Sequence, residues 1–141
     1  MSLFSTEKVL VPLDFSDEAV KVLKETLEYV KDPSKIYALY VLPPLEATDP
    51  GVVWQTVDDA TRIQKINEMF EKYFPEEVYQ NINFVVEVGN PSSEIVDYAE
   101  GNNITLIVIP SSGKAGLSRF FMGSVSEKVV RFTRCPVLVI H

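Results

Sequence analysis

Cysteine and histidine are almost missing from this chain of 141 residues, with one of each, Cys135 and His141. A single cysteine excludes an intrachain disulfide, and nothing in the pattern suggests a Cys/His metal site. Because the only histidine is the final residue, no Ser/His/Asp set can be assembled. Long apolar runs are missing too: none approaches the ~18 residues of a membrane span, and the amino terminus, Met1 to Glu7, has neither the basic start nor the apolar stretch of a signal peptide. The expectation is a soluble, cytoplasmic protein with no membrane partner. Positive charge is scarce, 13 Lys and Arg against 20 Asp and Glu, a formal charge of −7 that argues against a nucleic-acid partner. Two common nucleotide motifs are absent as well. Gly113-Lys114 lacks the spacing and following Ser or Thr of a P-loop, and no Gly-x-Gly-x-x-Gly occurs. The many carboxylates show no paired arrangement suited to general acid/base work.

The strand and helix signals that are present alternate along the chain. Val9 to Leu13 is an unbroken apolar run of the kind buried on both faces of a parallel sheet. Asp14-Phe15-Ser16 closes it, and Ser16 can cap a helix with Asp17 and Glu18 in its first turn and Ala19, Val22, Leu23, Leu27 and Val30 at helical spacing. A second strand runs from Ile36 to Leu42. Pro43 to Gln55, with the lone Trp54, reads as a long surface excursion, after which Ile63, Ile66, Phe70, Tyr73 and Phe74 mark one face of a helix stopped by Pro75. Ile82 to Val88 is a third strand. Asn90-Pro91 supplies a cap and a first-turn proline for a helix carrying Ile95, Val96 and Ala99 and ending near Gly101. Ile104 to Ile109 is a fourth strand that breaks at Pro110, a helix spans Ser124 to Thr133, and Pro136 to Ile140 is the last strand, with Cys135 a small core residue before it. The length suits one domain, residues 1–141. Strands alternating with helices imply an α/β fold, a parallel five-stranded sheet with helices on both faces.

The sharpest chemical signal is the passage from the fourth strand through Ser111, Ser112, Gly113 and Gly116 to Gly123-Ser124 at a helix start. Glycines let the backbone approach an anion, and a helix start offers unpaired N–H groups and the positive end of the macrodipole. The net charge does not oppose a phosphate there. Exposed charges are screened over about 8 Å, whereas one favourable charge ~4 Å away is worth up to about 4 kcal/mol at an effective dielectric of 20. Lys114, Arg119 and Lys128 bring such charge nearby. In open sheets ligands sit where the strand order reverses. With the order 3-2-1-4-5, which periodicity alone does not fix, that crevice would bring Asp14 to the turn from Pro110 to Gly113. Competing readings exist: Asp14 can cap a turn or the first helix, and Ser124 with Glu127 has the spacing of a capping box, which would consume the same N–H groups.

Val11-Pro12-Leu13-Asp14-Phe15-Ser16, Val88-Gly89-Asn90-Pro91, Gly123-Ser124-Val125-Ser126-Glu127-Lys128 and Cys135-Pro136-Val137-Leu138-Val139 together resemble the universal stress protein family, over nearly the whole chain. The resemblance implies an adenine nucleotide alpha hydrolase-like sheet of order 3-2-1-4-5. Members that bind ATP share Gly, two residues, Gly, nine residues, then Gly with Ser or Thr. Here Gly113 and Gly123-Ser124 fit, but Pro110 replaces the first glycine, and the family has a second branch that does not bind ATP. Proline fixes φ near −65° and lacks an N–H, so a turn that needed either would be lost. The resemblance implies ATP, with Mg²⁺ or Mn²⁺, held by Pro12, Leu13 and Asp14 at the end of the first strand and by the backbone of Val41 near the end of the second. Pro110, Ser111 and Gly113 follow the fourth strand, and Gly123, Ser124 and Val125 complete the phosphate side. It also implies a homodimer through the apolar last strand, Pro136 to Ile140. The expected function is a nucleotide-binding stress-response module with at most slow hydrolysis. A nucleotide-free dimeric adaptor is the alternative, and a nucleotide-transferring enzyme lacks its histidines.

Overall fold

The computed structural model describes residues 5–44, 58–111 and 123–141. Five strands, β1 (Val9–Pro12), β2 (Ile36–Leu42), β3 (Asn83–Val88), β4 (Leu106–Pro110) and β5 (Val137–Ile140), form one sheet of order β3-β2-β1-β4-β5. Every pairing is parallel. Parallel neighbours need crossovers, supplied among the described residues by helices α1 (Asp17–Val30), α2 (Asp59–Tyr73), α3 (Pro91–Gly101) and α4 (Ser124–Phe132). The strand order and the helical layers agree with those implied by the sequence.

Each strand face finds its own cover. Val9, Val11, Ala38 and Val108 pack with Ala19, Val22 and Leu23 of α1 and with Ile66 and Phe70 of α2. Leu10, Leu39, Ile107 and Ile109 pack on the opposite face with Ile95 and Ala99 of α3 and Val129 of α4. Neighbouring residues along β1 thus serve two different cores, which is why the run is apolar throughout. Val9, Leu10 and Val11 are completely buried.

Local chemistry sets the helix starts. Ser16, Asp58 and Asn90 accept the amides of Ala19, Thr61 and Ser93 at the heads of α1, α2 and α3. Pro91 occupies the first turn of α3, as its fixed φ allows. Phe15 takes a left-handed φ of 59° before α1, a conformation that costs about 1–2 kcal/mol for a residue other than glycine. Its ring stacks on Tyr73 at 5.1 Å and lies tilted against Tyr40 at 5.3 Å.

Some boundaries shift from the sequence reading. β4 includes Pro110, which pairs with Ile140, so the strand does not break there. Proline is tolerated because its nitrogen faces away from β5, as described below. Cys135 is half-buried rather than core, its Sγ 3.4 Å from the Ile104 carbonyl. Trp54 lies outside the described residues.

Leu10 sits in the central strand with no exposure, so Leu10→Ala should destabilise the protein by about 2–5 kcal/mol. Urea unfolding followed by circular dichroism measures this, and a loss below about 1 kcal/mol would contradict the packing described.

Candidate functional site

A cleft of about 390 Å³ opens at the carboxyl ends of the strands, and its position follows from the backbone ladder. β1 pairs with β2 as far as Pro12↔Leu39, but with β4 only through Val9↔Leu106 and Leu10↔Ile107. Beyond Ile107 the two central strands part. This is the place where strand order reverses and where ligands collect in open parallel sheets.

Two prolines flank the gap for a shared reason. The N–H of Leu13 donates to Leu39 O at 2.8 Å, on the β2 side, and those of Ile107 and Ser111 donate to Pro136 O and Ile140 O, both at 2.9 Å, on the β5 side. Backbone groups alternate direction along a strand, so the nitrogens of Pro12 and Pro110 point into the gap between β1 and β4. An N–H there would have no ladder partner, and proline removes it. Pro110 therefore sits in extended backbone at a cleft wall, where no left-handed turn is required.

The floor is apolar and the rim polar. Leu39, Ile95, Ile109 and Val129 lie at the bottom, while Asp14, Tyr40, Ser124 and Ser126 also border the space. Of the residues singled out in the sequence, Pro12, Leu13, Asp14, Val41, Pro110, Gly123, Ser124 and Val125 are brought together here. Ser111 is not. It is buried, its N–H given to Ile140 O and its carbonyl accepting from Gly123 at 2.6 Å. Gly113, Lys114 and Arg119 lie outside the described residues, and Lys128 is exposed. Tyr40, Pro91 and Ser126 escaped the sequence reading. Pro91 was visible only as a helix start, and the alternation of β2 does not say which side chain reaches the end of the sheet.

The helix starts differ in one respect. α1, α2 and α3 carry side-chain caps, whereas α4 begins after Gly123 with no side-chain cap. The capping box expected of Ser124 and Glu127 does not form: Glu127 instead pairs with Arg131 at 2.7 Å. The amide of Gly123 is committed to Ser111 and the first helical bond runs from Glu127 N–H to Gly123 O, so the amides of Ser124, Val125 and Ser126, all on the cleft lining, have no intrahelical acceptor. A helix start carries roughly half a positive charge, the attraction available to an anion where no lysine or arginine lies among the described lining residues.

Across the cleft, Asp14 is exposed and one of its oxygens accepts the Ser16 amide at 3.0 Å, so the turn-capping reading is realised. A carboxylate has about four acceptor sites, so this leaves capacity for hydroxyl donors. Burial raises the Tyr40 phenol above its ordinary pKa, the Asp14 carboxylate adds to the rise, and Arg62 opposes it. The Arg62 guanidinium is held by Pro43 O at 2.6 Å and Asp59 Oδ1 at 3.2 Å. Among the described residues no cluster of three or more His, Cys, Asp or Glu forms a metal centre. None of their helices is long and apolar enough to cross a membrane.

Comparison with known proteins adds the family context. The sequence profile of the universal stress protein family matches residues 5–141. Universal stress protein MJ0531 of Methanocaldococcus jannaschii is 29% identical over 143 residues, spanning 95% of this chain and 81% of that protein. The solved structure of MJ0577 from the same organism matches with a TM-score of 0.74 and 25% identity, over 96% of this chain and 95% of that one. A universal stress protein crystallised in complex with cAMP shares the fold at a TM-score of 0.58 and 19% identity, with 96% of each chain covered.

Because Asp14 helps hold the Tyr40 phenol high, Asp14→Asn should lower the Tyr40 pKa. Carbon NMR of ring-labelled tyrosine reads the titration directly. An unchanged midpoint would mean that carboxylate and phenol do not sense each other at the rim.

Proposed function

The chain belongs to the universal stress protein family, and from that premise we propose that the cleft between β1 and β4 binds an adenine nucleotide, ATP foremost. The observation that carries this reading is the start of α4, bare of any side-chain cap, facing Asp14 across an apolar floor. The Ser124 and Val125 amides suit phosphate oxygens, the spare acceptor sites of Asp14 suit ribose hydroxyls, and the backbone of Val41 suits an adenine edge. Pro12 and Pro110 form walls with no misplaced donor and Leu13 lines the cleft beside them, while the family resemblance alone assigns Gly113 to the phosphate side. Mg²⁺ or Mn²⁺ would ride chiefly on the phosphates and neutralise their charge. Among the described lining residues Asp14 is the one carboxylate and there is no histidine, a lining that suits ATP as a bound signal for a stress-response module. Residues 1–141 would work as one such unit.

Calorimetric titration of nucleotide-stripped protein with magnesium ATP should give saturable heat, with GTP weaker. Gly123→Val, which puts a branched side chain on the cleft lining, should abolish that heat while leaving the circular dichroism spectrum intact. No heat with millimolar ATP, or full affinity in the variant, would refute the assignment.

The edge strand β5 supports a homodimer as the second part of the proposal. Beyond Pro136 it carries no charge until His141, and Leu138 is 47% exposed. Apolar strand edges with free backbone groups invite pairing, and a two-fold copy would satisfy both chains. The alternative function, a nucleotide-free adaptor, would use the same edge. Leu138→Lys, at a position already open in the single chain, should convert a dimer to a monomer in light scattering. A wild-type monomer at micromolar concentration would overturn the assembly.

A further inference from the structure

We propose that Ser126 is a positioning residue, its hydroxyl setting the place of the phosphate-binding turn of α4 relative to the rest of the cleft. The role rests on the nucleotide reading above. Ser126 is the third residue of α4 and is 8% exposed, yet its hydroxyl does not cap its own helix. Instead Oγ donates to the Pro110 carbonyl at 2.9 Å, in a buried bond across to the end of β4.

Among the described residues that bond has one companion. The Gly123 amide donates to Ser111 O at 2.6 Å, so two consecutive residues, Pro110 and Ser111, hold the first turn of α4. Neither bond uses a residue of the 112–122 segment. Ser111 is itself fastened to Ile140 O, which places the anchor on the sheet rather than on the helix. The backbone bond cannot be removed by changing a side chain. The Ser126 bond can, and its loss leaves the buried Pro110 carbonyl without its only side-chain partner in the described structure.

The geometry makes the consequence selective. Ser124 and Val125 share the first turn of α4 with the anchored hydroxyl, while Asp14 follows β1 and Val41 lies near the end of β2, away from the Ser126–Pro110 bond. A shift of the α4 start therefore disturbs phosphate contacts and spares the nucleoside side. Binding groups need placement within a fraction of an ångström, and a second layer of hydrogen bonds supplies it.

The test compares ATP with adenosine on the same chain. Ser126→Ala should weaken magnesium ATP by roughly three- to tenfold, the worth of one hydrogen bond, and adenosine by less than about twofold. Ser126→Thr keeps the hydroxyl and should stay nearer to wild type in the ratio of the two affinities. Thermal melts report folding separately, because a merely structural role would lower both affinities together with the melting temperature. Equal losses for the two ligands, or no loss for ATP, would overturn the positioning role while leaving the nucleotide site standing. A wild-type chain that binds neither ligand would instead refute the nucleotide reading, and the positioning role with it.

Discussion

Backbone pairing between β1 and β4 ends at Leu10 and Ile107, and the cleft exists because of that ending. In a continuous ladder the amides of residues 12 and 110 would each need a partner, and a buried amide without one costs about 1–3 kcal/mol. Proline at both positions deletes the demand instead of meeting it. The strands can then separate, admit a ligand between them and still keep their outer pairings to β2 and β5. Pro110, the residue that departs from the ATP-binding pattern of the family, is thus consistent with an open switch point.

The same separation decides which groups can speak to a ligand. Pro12 and Pro110 contribute no donor, Gly123 has given its amide to Ser111, and Asp14 has given one oxygen to Ser16. Among the described residues, the donors left at this end of the cleft are those of the first turn of α4, where backbone amides and the helix dipole act together. An apolar floor beneath them lowers the local dielectric and strengthens each contact, so a protein of net charge −7 can still attract an anion locally. On the opposite side the Phe15 ring packs against Tyr40 and Tyr73, with Phe15 itself at a left-handed φ.

Much of this was legible before any coordinates. The apolar runs at Val9, Ile36 and Val137 marked strands because a sheet covered on both faces needs apolar residues in succession. Ser16 and Asn90-Pro91 marked helix starts because their side chains and fixed φ satisfy local backbone requirements. Asp14, Val41 and Gly123 were grouped by the family resemblance, and all three are lining residues of the cleft between β1 and β4. The sequence could not say whether Ser124 and Glu127 close on each other. Arg131, one turn further on, competes for the carboxylate and takes it.

The sequence by itself determined the elements, their alternation and hence the parallel sheet, since periodicity and capping act within a few residues of the chain. Tertiary structure alone decided that β1 and β4 part after Leu10 and Ile107, that Tyr40 and Ser126 join the cleft lining, and that α4 starts without a side-chain cap. These are contests between groups far apart in sequence for the same hydrogen-bond partners. Ser126 reaches the Pro110 carbonyl across 16 positions, and no local rule assigns that partner before the chain has packed.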